Sequence, residues 1–256
     1  TMVNKVCQAV KPLFDQIPPN LFSEEPEEVA RLAAVGSHLR GLEPKTLHML
    51  TRFLTGSAAE ILDDYFESDI IKGLFSSSSI IGSKVGPRSQ GSGLVLLFHK
   101  MGEVDGAFGD WGFHKGGNGG FTQVLARSAR SFGAEITLNA GVSNVITKNG
   151  EAIGVALENG DEIYADIVVS ALDPRRTFLQ LVEPRELPTD LVDGIRNYKF
   201  QGVSAKVNFA LDDLPEYPAL PGRKDIYRGF LNIGPSIDYI ERAFDEAKYG
   251  DFSRRP

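Results

Sequence analysis

Residues 116–174 read GGNGGFTQVLARSARSFGAEITLNAGVSNVITKNGEAIGVALENGDEIYADIVVSALDP, and the period of their apolar positions changes from helix to strand part-way along. Phe121, Val124, Leu125, Ala129 and Phe132 recur at three- and four-residue spacing, which places them on one helical face, and Gly133 supplies the stop. AEITL, 134–138, predicts a short strand. Two Asn-Gly pairs, Asn149-Gly150 and Asn159-Gly160, mark two-residue hairpin turns, because both central positions of a type I′ turn need positive φ. They divide 142–165 into three antiparallel strands. IVVSAL, 167–172, is a near-continuous apolar run, the pattern of a strand covered on both faces. Glycine turn, helix, strand, meander and buried strand in this order predict a piece of a nucleotide-binding α/β domain. The parts such a domain needs on either side of this piece do not occur in the 256 residues, so the chain reads as the middle of a larger protein.

Upstream, the pattern is helical. Val3, Val6, Cys7, Val10, Leu13, Phe14 and Ile17 predict an amphipathic helix over 2–17, kinked or ended near Pro12. A second helix follows Pro18-Pro19, with Pro26 in its first turn and acids favouring its dipole. A third covers about 44–55. Ser57 with Glu60 forms a capping box that opens a fourth, and a fifth lies around 69–76. The Ser/Gly-rich stretch that follows is too apolar at Ile80-Ile81 for a linker and predicts an ordered loop. LVLLFHKMG, 94–102, is an apolar run that periodicity leaves open between helix and strand. The apolar faces of this helical part read as plain core or as a wall of a lipophilic pocket. Downstream, helices are predicted from Pro174 and over about 189–197. Val203, Ala205, Val207, Phe209 and Leu211 alternate as in a half-buried strand, DIYRGFLNI (225–233) predicts another, and SIDYIERAFDEAKYG an amphipathic helix. The predicted domains are therefore 1–110, 111–182 and 183–256, the outer two belonging together.

Composition narrows the function classes. Hydrophobic residues at 42% and charged residues at 24% are ordinary globular values. A net charge of −7 without any basic stripe argues against nucleic acid as partner. The single cysteine, Cys7, excludes an internal disulfide and reads as a small buried hydrophobe. The four histidines, His38, His48, His99 and His114, lack metal-ligand spacing, so no metal is expected. No run of about 18 apolar residues occurs, so no transmembrane segment is predicted, and the start has charges and a proline where a signal peptide needs an apolar segment. These features predict a soluble, cytoplasmic protein, with the oligomeric state left open.

Gly117-Asn118-Gly119 with Thr122 is a near miss to the dinucleotide fingerprint G-x-G-x-x-G, which needs a preceding buried strand and an acid ending the next one. Here the lead-in is DWGFHK, and Glu135 begins its strand. The glycines fit two readings equally, a tight turn into a helix or a close approach of bare backbone to an anionic ligand. The acids Asp63, Asp64, Glu67 and Asp69 read as a solvated helix end. No G-x-S-x-G elbow and no P-loop occur, which leaves serine-hydrolase and NTPase readings without support.

The block GG-x-GG-x-x-x-x-L-A-x-x-A-x-x-x-GAEI, followed by V-x-x-V-I, GVALENG, Y-AD-IVVSALDP and RRTFLQL, resembles the flavin amine oxidase superfamily, and within it the phytoene-desaturase-like branch. The resemblance extends upstream through ILDDYFESDIIKGLFSSSSIIG, GSGLVLLFHKMG and WGFHKGG, and downstream to VSAKVNFALDDLP and the IERAFDEA helix. It implies an FAD-binding α/β domain of glutathione-reductase type, interwoven with an α+β substrate domain of mixed sheet and helices. It further implies FAD-dependent oxidation of a small apolar or amine-bearing substrate, the flavin accepting the hydride. Carried over by position, Gly116 and Gly117 lie where the chain enters the FAD domain near the flavin. Val142 meets the adenine through its backbone. Ser170, Ala171 and Leu172 lie beside the pyrophosphate and ribose. His114 and Lys115 fall in the flavin's neighbourhood, and no catalytic acid or base is identified. The diphosphate-gripping G-x-G-x-x-G segment of the family is absent from these residues, so the chain alone is expected to hold no tightly bound FAD and to show no turnover. A related use of the fold, as a non-catalytic carrier or escort of a lipid or prenyl group, is the alternative from another class.

Overall fold

The structure, a computed structural model, describes residues 1–109, 112–202 and 204–255. They fall into two compact units, Thr1–Gly112 with Gln201–Pro256, and Phe113–Phe200. The amphipathic segments of the first unit form α1 (Met2–Phe14), α2 (Pro26–Arg40), α3 (Pro44–Thr55), α4 (Ala58–Asp63) and α5 (Asp69–Ser76). Pro26 and Pro44 open their helices, where no intrahelical N–H bond is lost and φ is already set. The ambiguous apolar run is a helix, α6 (Ser92–Phe98), and β1 (Glu103–Val104) pairs antiparallel with β2 (Ala107–Phe108). One cluster forms the core: Val6, Cys7 and Val10 from α1, Met49, Leu50 and Phe53 from α3, Ala58, Ala59, Ile61 and Leu62 from α4, and Leu96 and Leu97 from α6. Each such large side chain contributes about 1.5–3 kcal/mol on burial.

The capping box at α4 is formed as read: Ser57 Oγ accepts from Glu60 N at 3.1 Å, and Glu60 Oε2 accepts from Ser57 N at 3.0 Å. Residues 77–91 form an ordered loop around it. Ser76, Ser79 and Ser92 are buried, with every hydroxyl bonded to backbone. Pro87 O accepts from Ala59 N, and Ser92 Oγ accepts from Ala58 N. The loop thus completes the first turn of α4.

In the second unit, α7 (Gly117–Ser131) precedes an antiparallel sheet of order β3 (Val142–Lys148), β4 (Glu151–Leu157) and β5 (Glu162–Tyr164). The first Asn-Gly corner has both residues left-handed, Asn149 at φ 53° and Gly150 at φ 81°, as a type I′ turn requires. The second corner differs from the expectation. Only Gly160 is left-handed (φ 92°), Gly160 N donates to Leu157 O, and Leu157 N to Asp161 O. This is a three-residue loop in which glycine forms the bulge. It links β4 to β5 all the same. Asp173 then caps α8 (Pro174–Arg176), which runs into one π-helical turn, Thr177–Leu181, packed against β3; α9 (Thr189–Asn197) follows.

Four expected strand features are not formed. Residues 134–138 carry no strand, and Leu138 is exposed. Residues 167–172 likewise carry no strand, with Ile167 79% and Val169 86% exposed. An apolar strand in a parallel sheet takes its hydrogen bonds and its cover from neighbours, and no described residue pairs with either segment. Val203 lies outside the described residues; 204–211 form no strand, and Val207, Phe209 and Leu211 are exposed. Over 225–233 a 3₁₀ turn, Lys224–Arg228, gives way to irregular backbone. The mixed sheet expected for the substrate domain is therefore reduced to β1-β2 among the described residues. Alternation makes a face, but a strand exists only where another edge accepts its N–H groups.

The last helix, α10 (Ile237–Lys248), is capped by Ser236 Oγ on Tyr239 N and packs on α5. Its Asp238 and Glu241 hold Arg88 of the serine-rich loop, through the guanidinium and the backbone N–H respectively. Gly73 lets the chains meet here: a Cβ on it would lie 2.1 Å from Gly234 O.

Candidate functional site

Gly116 caps α7 from the left-handed region (φ 93°), and Gly117 follows at φ 67°. Side chains are rare in both conformations. Gly117 N donates to His114 O and Gly120 N to Gly116 O, so the turn is tied within itself. The amides of Asn118 and Gly119, at the exposed start of the helix, have no intrahelical acceptor. His114 stands against the ring of Phe121 at 6.1 Å between centroids. A Cβ on Gly120 would lie 2.9 Å from its Nδ1.

Val142 opens β3 opposite Leu157, at an irregularity of register before Asn144. Ser170 Oγ lies 2.7 Å from Thr177 Oγ1 and accepts from Leu172 N at 3.3 Å. This folds the end of the apolar run onto the start of the π-helical turn, leaving Ser170, Ala171 and Leu172 exposed. The structure thus brings Ser170 and Leu172 together and sets Val142 on the ribbon that packs against 177–181. No hydrogen bond among the described residues joins Gly116 or Gly117 to the other four. Trp111, on the approach to the glycines, lies outside the described residues.

The first unit contains a cavity of about 540 Å³. Met49, Phe53, Ile61, Leu62 and Leu96 line it from the core, and Phe66 and Phe75 stack at 5.3 Å on its wall. Lys100, just past α6, is the one cationic side chain lining it among the described residues, with Nζ 5.2 Å from the Phe75 ring centre. The sequence left these helical faces between plain core and a lipophilic wall, and gave no sign of Lys100. Helical spacing says which side chains face inward, not which long polar side chain ends among them.

The remaining candidate groups have structural roles. Cys7 is fully buried, donates to Lys100 O at 3.6 Å, and burial pushes its thiol pKa up. His38 Nε2 donates to Ala9 O at 2.7 Å. Lys72 pairs with Asp63 and Arg52 with Asp64. Among the described residues no cluster of three or more His, Cys, Asp or Glu side chains is placed to hold a metal, and no helix is long and apolar enough to cross a membrane.

The family model described as flavin containing amine oxidoreductase matches residues 3–234. The chain belongs to this family. Its helices and small sheets are consistent with an α/β flavin oxidoreductase fold. A rat protein, pyridine nucleotide-disulfide oxidoreductase domain-containing protein 2, is 30% identical over 267 aligned residues, covering 99% of this chain and 46% of that protein. Its mouse counterpart is 34% identical, over 79% of this chain and 36% of the mouse protein. The chain therefore spans less than half the length of these relatives. Shorter similarities reach carotenoid enzymes: a carrot prolycopene isomerase (37% identical over 34% of this chain and 14% of the isomerase) and a Methylomonas 4,4'-diapolycopene oxygenase (42% over 26% and 13%). No solved structure matches the chain.

Proposed function

We propose that the chain is the central part of an FAD-dependent oxidoreductase of desaturase or amine-oxidase type, acting on a small apolar or amine-bearing molecule. The observation that carries this reading is the family match running through both units, from residue 3 to residue 234. The second unit would form the adenine-side part of a glutathione-reductase-type cradle, and the helical first unit with 201–256 the substrate side. The residues present suit that cofactor in chemistry. Gly116 and Gly117 offer bare backbone with two free helical amides behind them, a donor set for an anionic oxygen. Ser170 offers a hydroxyl and exposed backbone beside it, and the start of β3 offers the backbone edge of Val142. When bound, the flavin supplies the hydride acceptor. The chain's own residues bind and orient: the glycine turn keeps the approach free of side chains, and the apolar first unit excludes water from the substrate. The carrier alternative draws less support, because the relatives are named as oxidoreductase, isomerase and oxygenase.

The test is purification of the product of the whole reading frame that contains these residues. Stoichiometric flavin absorbance, bleached anaerobically by an apolar or amine substrate, is expected; a folded protein that takes up no FAD overturns the proposal. The chain by itself contains no diphosphate-gripping G-x-G-x-x-G segment, and so is expected to bind added FAD weakly.

A further inference from the structure

We infer that the cavity of the first unit takes a long-chain apolar molecule ending in an anionic group, and that Lys100 recognises that end. The cavity's size falls within the range of small-molecule sites, and most of its lining side chains are apolar. Among the described residues no aspartate or glutamate lines it, although the chain as a whole carries seven net negative charges. The local electrostatics thus run against those of the molecule. Lys100 is held there. Its backbone N donates to Leu97 O at 2.9 Å, its carbonyl accepts from the buried Cys7 thiol, and its ammonium lies against the face of Phe75. No carboxylate among the described residues pairs with it. A positioned cation on an apolar wall, with no carboxylate partner among the described residues, complements a carboxylate carried by a hydrocarbon chain. A purely hydrocarbon ligand would leave the ammonium partly desolvated with only the Phe75 ring against it and no anion to pair with, which is unfavourable.

That such a ligand is the substrate of the redox reaction rests on the function proposed above; its binding does not. The experiment is fluorescence titration of the chain with cis-parinaric acid, a polyene carboxylate, and with its methyl ester. The acid is expected to bind at least tenfold more tightly than the ester. Lys100→Met should bring the acid down to the affinity of the ester and leave the ester unchanged, while Lys100→Arg keeps the preference for the acid. Far-UV circular dichroism checks that both variants fold. Equal affinity for acid and ester, an acid affinity untouched by Lys100→Met, or no binding of either probe overturns the inference. Failure here leaves the flavin reading standing. A whole protein that binds the acid but no FAD would do the reverse.

Discussion

Ser92 is fully buried, and its hydroxyl stands between two elements: Oγ accepts from Ala58 N at 2.8 Å and lies 2.7 Å from Ser89 O and 3.0 Å from Pro87 O. Ser92→Ala would strand the first amide of α4 in the interior. A buried donor without an acceptor costs about 1–3 kcal/mol. Urea denaturation should register that loss, while Ser131→Ala, at an exposed hydroxyl, stays within about 0.5 kcal/mol of the parent. Glu60 acts at the same helix terminus. The N–H of Ser57, then its hydroxyl, hold the Glu60 carboxyl below its ordinary value of 4.5. A lowered native pKa means that the contribution is complete above the ordinary value and fades as pH falls below it through the native one. Glu60→Gln should flatten the stability–pH curve in that acid range and leave its slope near neutrality unchanged. The capping box was legible because its four residues are local. Ser92, thirty-four positions from Ala58, carries no such mark. Neither does Lys100, which takes its meaning from side chains contributed by other helices.

Among elements, those that close their own hydrogen bonds match the sequence reading. Helices α1–α5, α7, α9 and α10 follow three- and four-residue periodicity, and the β3–β5 ribbon is punctuated by Asn-Gly. The second corner shows how far a dipeptide signal reaches. Asn159-Gly160 marks the reversal, yet Asn159 Oδ1 accepts from Asp161 N and its Nδ2 donates to Asp161 Oδ2, so the asparagine sits within a longer loop with glycine alone left-handed. Gly160→Ala should therefore cost about 1–2 kcal/mol. In contrast, Asn159→Ala retains the loop conformation and loses only exposed hydrogen bonds. At the junction of α5 with the chain before α10, the constraint is space. Gly73→Ala would drive a methyl into Gly234 O, and overpacking of this kind costs about 1–3 kcal/mol. Thermal unfolding compared with Gly36→Ala, where nothing lies within 4 Å, separates the two effects; equal melting temperatures would contradict the close approach.

For the whole molecule, the two units differ in how much they bury. The first has a continuous core over α1, α3, α4 and α6, whereas the apolar face of α7 and the run at 167–172 stay exposed. Hydrogen exchange should show it: amides of 58–62 protected, and those of 167–170 exchanging at nearly the rate of an unfolded chain, since they have no pairing. Protection at 167–170 equal to that in α4 would mean that a sheet forms there. The sequence by itself determined the helices that carry three- and four-residue periodicity, where the meander turns, that Cys7 is core and that the chain carries a flavoprotein-family pattern. All of these rest on local periodicity, turn chemistry or motif. Only the tertiary structure decided that the apolar run 94–98 is a helix, that Ser92 completes α4, that 167–172 and 204–211 find no strand partner among the described residues, and that one lysine faces an apolar cavity. Each of these depends on what a distant part of the chain supplies, and the pairing energy of a strand or a charge belongs to its partner as much as to itself.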